Sequence, residues 1–231
     1  MKMNKKKVLV TALAVSLIAI LSLGTVAWFN AKDEITNTFK VADSDGDGTP
    51  DFSVDVWENN PANPTVKEQD GVTYEEIAPG DKLAKNPTVE NTGDYDQWVR
   101  VYVTFDEWST IKAACDRLNL TDDLRTWLDV DATAWTKGTE APIVADNAIT
   151  YVYYYNYKLV EDGTAVLFNN VSIPEKFEQG DMKYVSDNFT IKVKAEAIQA
   201  DNNGKTAQEG FGNWNILKKN RSKLGGIDNG K

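Results

Sequence analysis

The chain has no histidine and a single cysteine, Cys115, among its 231 residues. The missing histidine removes the usual general base near neutral pH, the commonest zinc ligand and every catalytic triad built on an imidazole. One cysteine cannot close an internal disulfide, and a chain of this length can bury a core without one. No zinc-protease helix motif, nucleophile elbow or phosphate-binding glycine loop is present. The stretch GFGNW (residues 210–214) has two glycines of a dinucleotide loop, lacks the third, and has no βαβ pattern around it. An acidic protein always offers carboxylate pairs for acid–base work, but nothing here singles one out. No catalytic residue is assigned, and the expectation is that the chain is not an enzyme.

Acidic residues are also missing from the first 27 positions, which hold four lysines: Lys2, Lys5, Lys6 and Lys7. A basic start, an uncharged apolar run from Val8 to Ala27, and small residues Thr25 and Ala27 at −3 and −1 of a cut before Trp28 read as a secretory signal peptide. Gly24 weakens the helix near its end, which favours cleavage. The run is also close to the length of a spanning helix, with Trp28 as its interfacial residue. A cell-surface protein held by an uncleaved anchor is therefore the alternative.

Net charge is −10 for the whole chain; without residues 1–27, 21 basic residues face 35 acidic ones, a net of −14. Such a field repels nucleic acid, and no nucleic-acid partner is expected.

Alternation of apolar and polar residues dominates the chain after Ala27. Trp98–Phe105 places Val99, Val101, Val103 and Phe105 on one face. Ala148–Leu159 does the same with Ile149, Tyr151, Tyr153, Tyr155, Tyr157 and Leu159, and Asn188–Ala200 with Phe189, Ile191, Val193, Ala195 and Ala197. Period two with one polar face predicts half-buried antiparallel strands. Shorter strands are expected at Ile35–Val41, Phe52–Trp57, Val72–Ile77, Lys85–Glu90 and Thr164–Phe168, with a turn at Glu161–Thr164. The tyrosine row reads as core, with a stacking platform for sugars or a partner strand as the other use of such a face.

Between strands the period changes. Trp108, Ile111, Cys115 and Leu118 recur at helical spacing, so Cys115 falls on a buried stripe. A second short helix is expected after Thr121 as its cap. Residues 201–231 read as a C-terminal helix or flexible tail. The domain plan is a signal segment 1–27, one mainly β domain 28–200 built as an antiparallel β-sandwich with short helical insertions, and that tail.

One loop has metal-ligand spacing. In DSDGDGTPD, Asp43, Asp45 and Asp47 stand at alternate positions before Gly48, with the Thr49 carbonyl and Asp51 following. Carboxylates at positions 1, 3 and 5 with a glycine at 6 are how a calcium loop wraps its ion in oxygen. Position 12 is Val54 where a bidentate glutamate belongs, so any Ca²⁺ held here is weakly held and structural. An acidic turn joining two strands is the alternative.

Four blocks carry a family resemblance: GTVAWFN at residues 24–30, IAPGDKLAKNPTVENTGDYDQWVRVYVTF at Ile77–Phe105, LFNNVSIP at Leu167–Pro174 and FTIKVKAEAIQA at Phe189–Ala200. Together they resemble the TasA/camelysin family of secreted bacterial proteins, over most of the chain from about Lys2 to about Ala200. The resemblance implies a jelly-roll-like sandwich, a signal removed by a dedicated signal peptidase, and a role as subunit of extracellular biofilm-matrix fibres. It implies head-to-tail homopolymers in which the N-terminal segment of one subunit enters the next as a strand, and contacts with other matrix or cell-surface proteins. Residues 28–41, carrying Trp28, Phe29, Ile35, Phe39 and Val41, would be the donated segment. A camelysin-like protease activity is described for some members, but this chain has no histidine or zinc motif to carry it.

Overall fold

Where the alternation is longest, the strands form as the period requires. The computed structural model describes residues 31–34, 37–38, 53–60, 63–68, 74, 77–178, 180–181 and 189–213. It is mainly β, and every strand pairing among the described residues is antiparallel. In chain order the strands are β1 (Ala31–Glu34), β2 (Asn37–Thr38), β3 (Val54–Asn60), β4 (Asn63–Glu68), β5 (Lys82–Ala84), β6 (Thr88–Asn91) and β7 (Gln97–Phe105). Helix α1 (Trp108–Leu118) and a 3-10 turn (Leu124–Trp127) follow. Then come β8 (Trp135–Lys137), β9 (Ile143–Ala145), β10 (Ala148–Tyr155), β11 (Thr164–Val166), β12 (Asn170–Ser172) and β13 (Ile191–Gln199).

A seven-stranded sheet runs β2-β1-β13-β7-β10-β8, with β9 beside β8 on the outer edge of β10. A four-stranded sheet runs β11-β6-β3-β4, and β12 pairs with β5. The sheets meet over one core. Val99, Val101, Val103 and Phe105 of β7, Val193, Ala195 and Ala197 of β13, and Tyr151 and Tyr153 of β10 share it with Val54 and Val56 of β3 and Val89 of β6. Burying each large aliphatic or aromatic side chain stabilises the fold by about 1.5–3 kcal/mol. Helix α1 adds Ile111, Ala114 and Cys115, as its periodicity predicts.

The expected strand Ala148–Leu159 ends early. At Asn156 the backbone N–H still donates to the Ala134 carbonyl at 2.8 Å, while the side-chain amide nitrogen donates to the Thr133 carbonyl at 3.0 Å and Oδ1 accepts from Thr136 Oγ1 at 2.6 Å. Tyr151 and Tyr153 are therefore core, whereas Tyr157 is 57% exposed, its ring edge-on to Tyr155. Leu159 returns to the core through reciprocal 2.9 Å backbone bonds with Gln97. Lys85–Glu90 divides as well. Pro87 has no amide hydrogen for a ladder, so β6 starts at Thr88 and Lys85 turns inward to a buried ion pair with Glu58. The described part of Val72–Ile77, Tyr74 and Ile77, is irregular rather than strand. The turn at Glu161–Thr164 is where expected, with Asp162 at φ 56°.

Thr121 does not cap the second helical piece. The cap is Asp123, whose carboxylate accepts the Arg125 amide at 3.1 Å and the Arg125 guanidinium at 2.7 Å. Strands β4, β5, β8, β9 and β12 are additions to the sequence-based plan. β9 joins β10 through Asp146 and Asn147, both left-handed at φ 50° and 60°, in the two-residue turn that matches strand twist.

The block ENTG serves the fold. Asn91 donates to the carbonyls of Tyr95 (2.9 Å) and Leu159 (3.0 Å) and accepts from the Gly93 amide (3.0 Å), while Gln97 ties it to the Ser53 carbonyl (3.0 Å). This buried polar clamp fastens the start of β7 to the other sheet.

Candidate strand-accepting edge

Among the described residues, β13 is paired over its whole length on the side of β7. All nine of its residues, Ile191 to Gln199, face β7. On its other side β1 covers three of them, with Ala31 opposite Ala197, Lys32 opposite Glu196 and Asp33 opposite Ala195. β1 is in turn covered by the two-residue β2.

The outer face of the sheet beside this edge is built as carefully as the inner one. Arg100 and Glu196 are cross-strand partners on β7 and β13, both buried. The guanidinium donates to Glu196 Oε2 from Nε at 2.9 Å and Nη2 at 2.6 Å, and the Tyr102 hydroxyl donates to the same oxygen at 3.2 Å. Burial, and then the Glu196 charge, push the Tyr102 phenol well above its ordinary range, so it is a donor at every physiological pH. Helical residues 207–213 lie across the pair. Phe211 packs over the Arg100 guanidinium at 4.3 Å and forms a second apolar cluster with Trp98, Tyr154, Ile198, Ala200 and Ala207. Gly210 is required there: a Cβ would lie 2.4 Å from the Asn203 carbonyl oxygen and 2.9 Å from Ile198. Residues 207–213, expected within a C-terminal helix or flexible tail, are helical and packed onto the domain.

Elsewhere the described surface offers little chemistry. A pocket of about 440 Å³ opens beside α1, lined by Ser109, Ile111, Phe177, Arg117 and Asp181 among others, and its two charged groups bind one another at 2.6 Å. Cys115 is buried, and desolvation followed by neighbouring Asp122 and Asp116 raises its thiol pKa, so it is a packed side chain rather than a nucleophile. Among the described residues no three His, Cys, Asp or Glu side chains group as a metal site.

The residues singled out from sequence lie outside the described residues: Thr25, Ala27 and Trp28 of the processing junction, Phe29, Ile35, Phe39 and Val41 of the donated segment, and Asp43, Asp45, Asp47, Thr49 and Asp51 of the acidic loop. The described structure brings together Arg100, Tyr102 and Glu196, which alternation alone assigns to a plain polar face. A signal for their grouping is present in the sequence: Trp98, Tyr154 and Ile198 interrupt that face with large apolar groups. No family model, curated protein or solved structure matches the chain.

Proposed function

We propose that the chain is a secreted structural subunit that polymerises head to tail by donating its N-terminal strand to the next copy. The observation that carries this reading is the edge of β13, to which, among the described residues, a short strand from residues 31–34 is paired at three positions. A sheet rim of this kind accepts any strand of the right pattern, its own or a neighbour's, because the ladder bonds are made by backbone. A head-to-tail contact that does not close on itself extends into a filament. The resemblance to the TasA/camelysin family points the same way, with a jelly-roll-like sandwich, cleavage after Ala27 by a dedicated signal peptidase, and an extracellular matrix fibre as the product.

The test uses protein beginning at Trp28. Filaments are expected by negative-stain electron microscopy, and deletion of residues 28–41 is expected to leave monomers. Filaments from the deleted protein would overturn strand donation. Mass spectrometry of the native N-terminus belongs to the same test, since an intact Met1 would favour the membrane-anchored alternative.

The loop at residues 43–51 is proposed to hold Ca²⁺ weakly, on the spacing of its carboxylates. Titration calorimetry is expected to show one site that disappears in Asp45→Asn/Asp47→Asn. An unchanged isotherm in that variant would assign the acidic run to a plain turn.

A further inference from the structure

We propose that Lys85 and Glu58 condense into an amide, so that the folded chain carries an isopeptide cross-link between β3 and the link from β5 to β6. The two residues are 27 positions apart in the chain, and their side chains are 9% and 6% exposed. Lys85 Nζ donates to Glu58 Oε1, while Glu58 Oε2 is buried with no hydrogen-bond partner. Buried polar atoms are almost always bonded, and an unbonded oxygen on a buried charge is costly. Glu68 adds to that cost, because it stands directly opposite Glu58 in the β3–β4 register, where like charges weaken a pairing. An amide at this place carries no charge and removes most of both costs.

The backbone on each side of the pair is fixed. The Lys85 amide donates to the Asn169 carbonyl at 3.1 Å, the Tyr74 hydroxyl donates to the Ala84 carbonyl, and the Asn59 amide donates to Asn86 Oδ1 at 2.8 Å. The last bond ties the residue after Glu58 straight to the residue after Lys85, so amine and carboxyl are held against one another. Groups oriented in this way react as though present at about 10⁵–10⁸ M. Exclusion of solvent from both side chains keeps water from reversing the step.

The step balances within the pair. The Lys85 ammonium passes one proton to Glu58 Oε1, leaving a neutral amine and a neutral acid, which burial favours over two charges. The Nζ lone pair attacks Cδ, and the Nζ–Cδ bond forms. The Cδ–Oε1 bond then breaks, and Oε1 leaves as water with the transferred proton and a second one from Nζ. Oε2 stays as the amide carbonyl. No oxidant, cofactor or second protein enters.

Mass spectrometry of the denatured chain reads the product. Protein beginning at Trp28, first held folded, is expected to be lighter than its sequence by one water. Trypsin should fail to cut after Lys85, and fragment sequencing should place the loss on a branched peptide that joins Lys85 to Glu58. Lys85→Arg keeps a cation against Glu58 but has no amine to acylate, since a guanidinium stays protonated. That variant is expected at the full mass of its sequence. A parent protein at full sequence mass would overturn the cross-link, whether or not the variant folds. So would a water loss that maps to an Asp–Gly pair such as Asp162–Gly163, where a cyclic imide forms, or the same loss in Lys85→Arg.

Discussion

Phe105→Ala is expected to cost the fold about 3–5 kcal/mol, the range for removing a fully buried aromatic ring. Phe105 closes β7 at the point where three strands meet, opposite Ile149 of β10 on one side and Ile191 of β13 on the other. Its ring is edge-on to Trp127 at 6.4 Å and to Tyr151 at 6.0 Å, and stacked on Phe189 at 6.2 Å. No small neighbour can refill a site bounded by two strands and three rings, so the cavity term adds to the lost transfer energy. Total stability of a domain is about 5–15 kcal/mol, so this one change removes a large share of it. Urea unfolding measures it: with a slope of about 1–3 kcal/mol per molar, the midpoint should fall by about one molar or more. A loss below about 1 kcal/mol would show that the rings collapse into the space and that the site is softer than its burial indicates.

A comparable loss is expected from Glu196→Leu, for a different reason. Arg100 and Glu196 are buried together, and taking away one member of a buried pair costs about 3–5 kcal/mol because the remaining charge keeps its desolvation penalty. The double change Arg100→Leu/Glu196→Leu should recover most of that, since replacing a whole buried pair by apolar groups is often close to neutral. A double-mutant cycle in urea gives the coupling directly. Additive losses would show that the two residues act separately, through Phe211 and Tyr102 rather than through one another. The cycle also bears on assembly, because Glu196 is one of the three β13 residues that face β1. The double variant is expected to fold yet assemble less well than the parent.

The long elements were legible because they repeat a period many times. β7, β10 and β13 hold eight or nine residues each, enough for alternation to stand out, and α1 shows Ile111 and Cys115 one turn apart on its buried side. Strands β5, β8, β9 and β12 have three residues each, too few for any period; β8 and β9 lie along the edge of the longer β10, and β5 and β12 pair with one another. β9 is exposed at all three positions and carries no burial pattern at all. Its Asp-Asn turn was the readable sign. Pro87 shows the converse, where local chemistry cut an apparent strand short because the residue lacks a donor.

Residue identity and short-range spacing were enough to establish that this protein is mainly β, that α1 interrupts the strands with its cysteine inward, and that histidine chemistry is absent. Only the tertiary structure decided that Glu196 meets Arg100 across 96 positions of chain, that residues 207–213 cover that pair, and that Lys32 stands opposite Glu196 at the rim of the sheet. Such pairings depend on which strands become neighbours and in what register. The energy that selects them is the burial of a whole sheet face, which no local window of sequence contains.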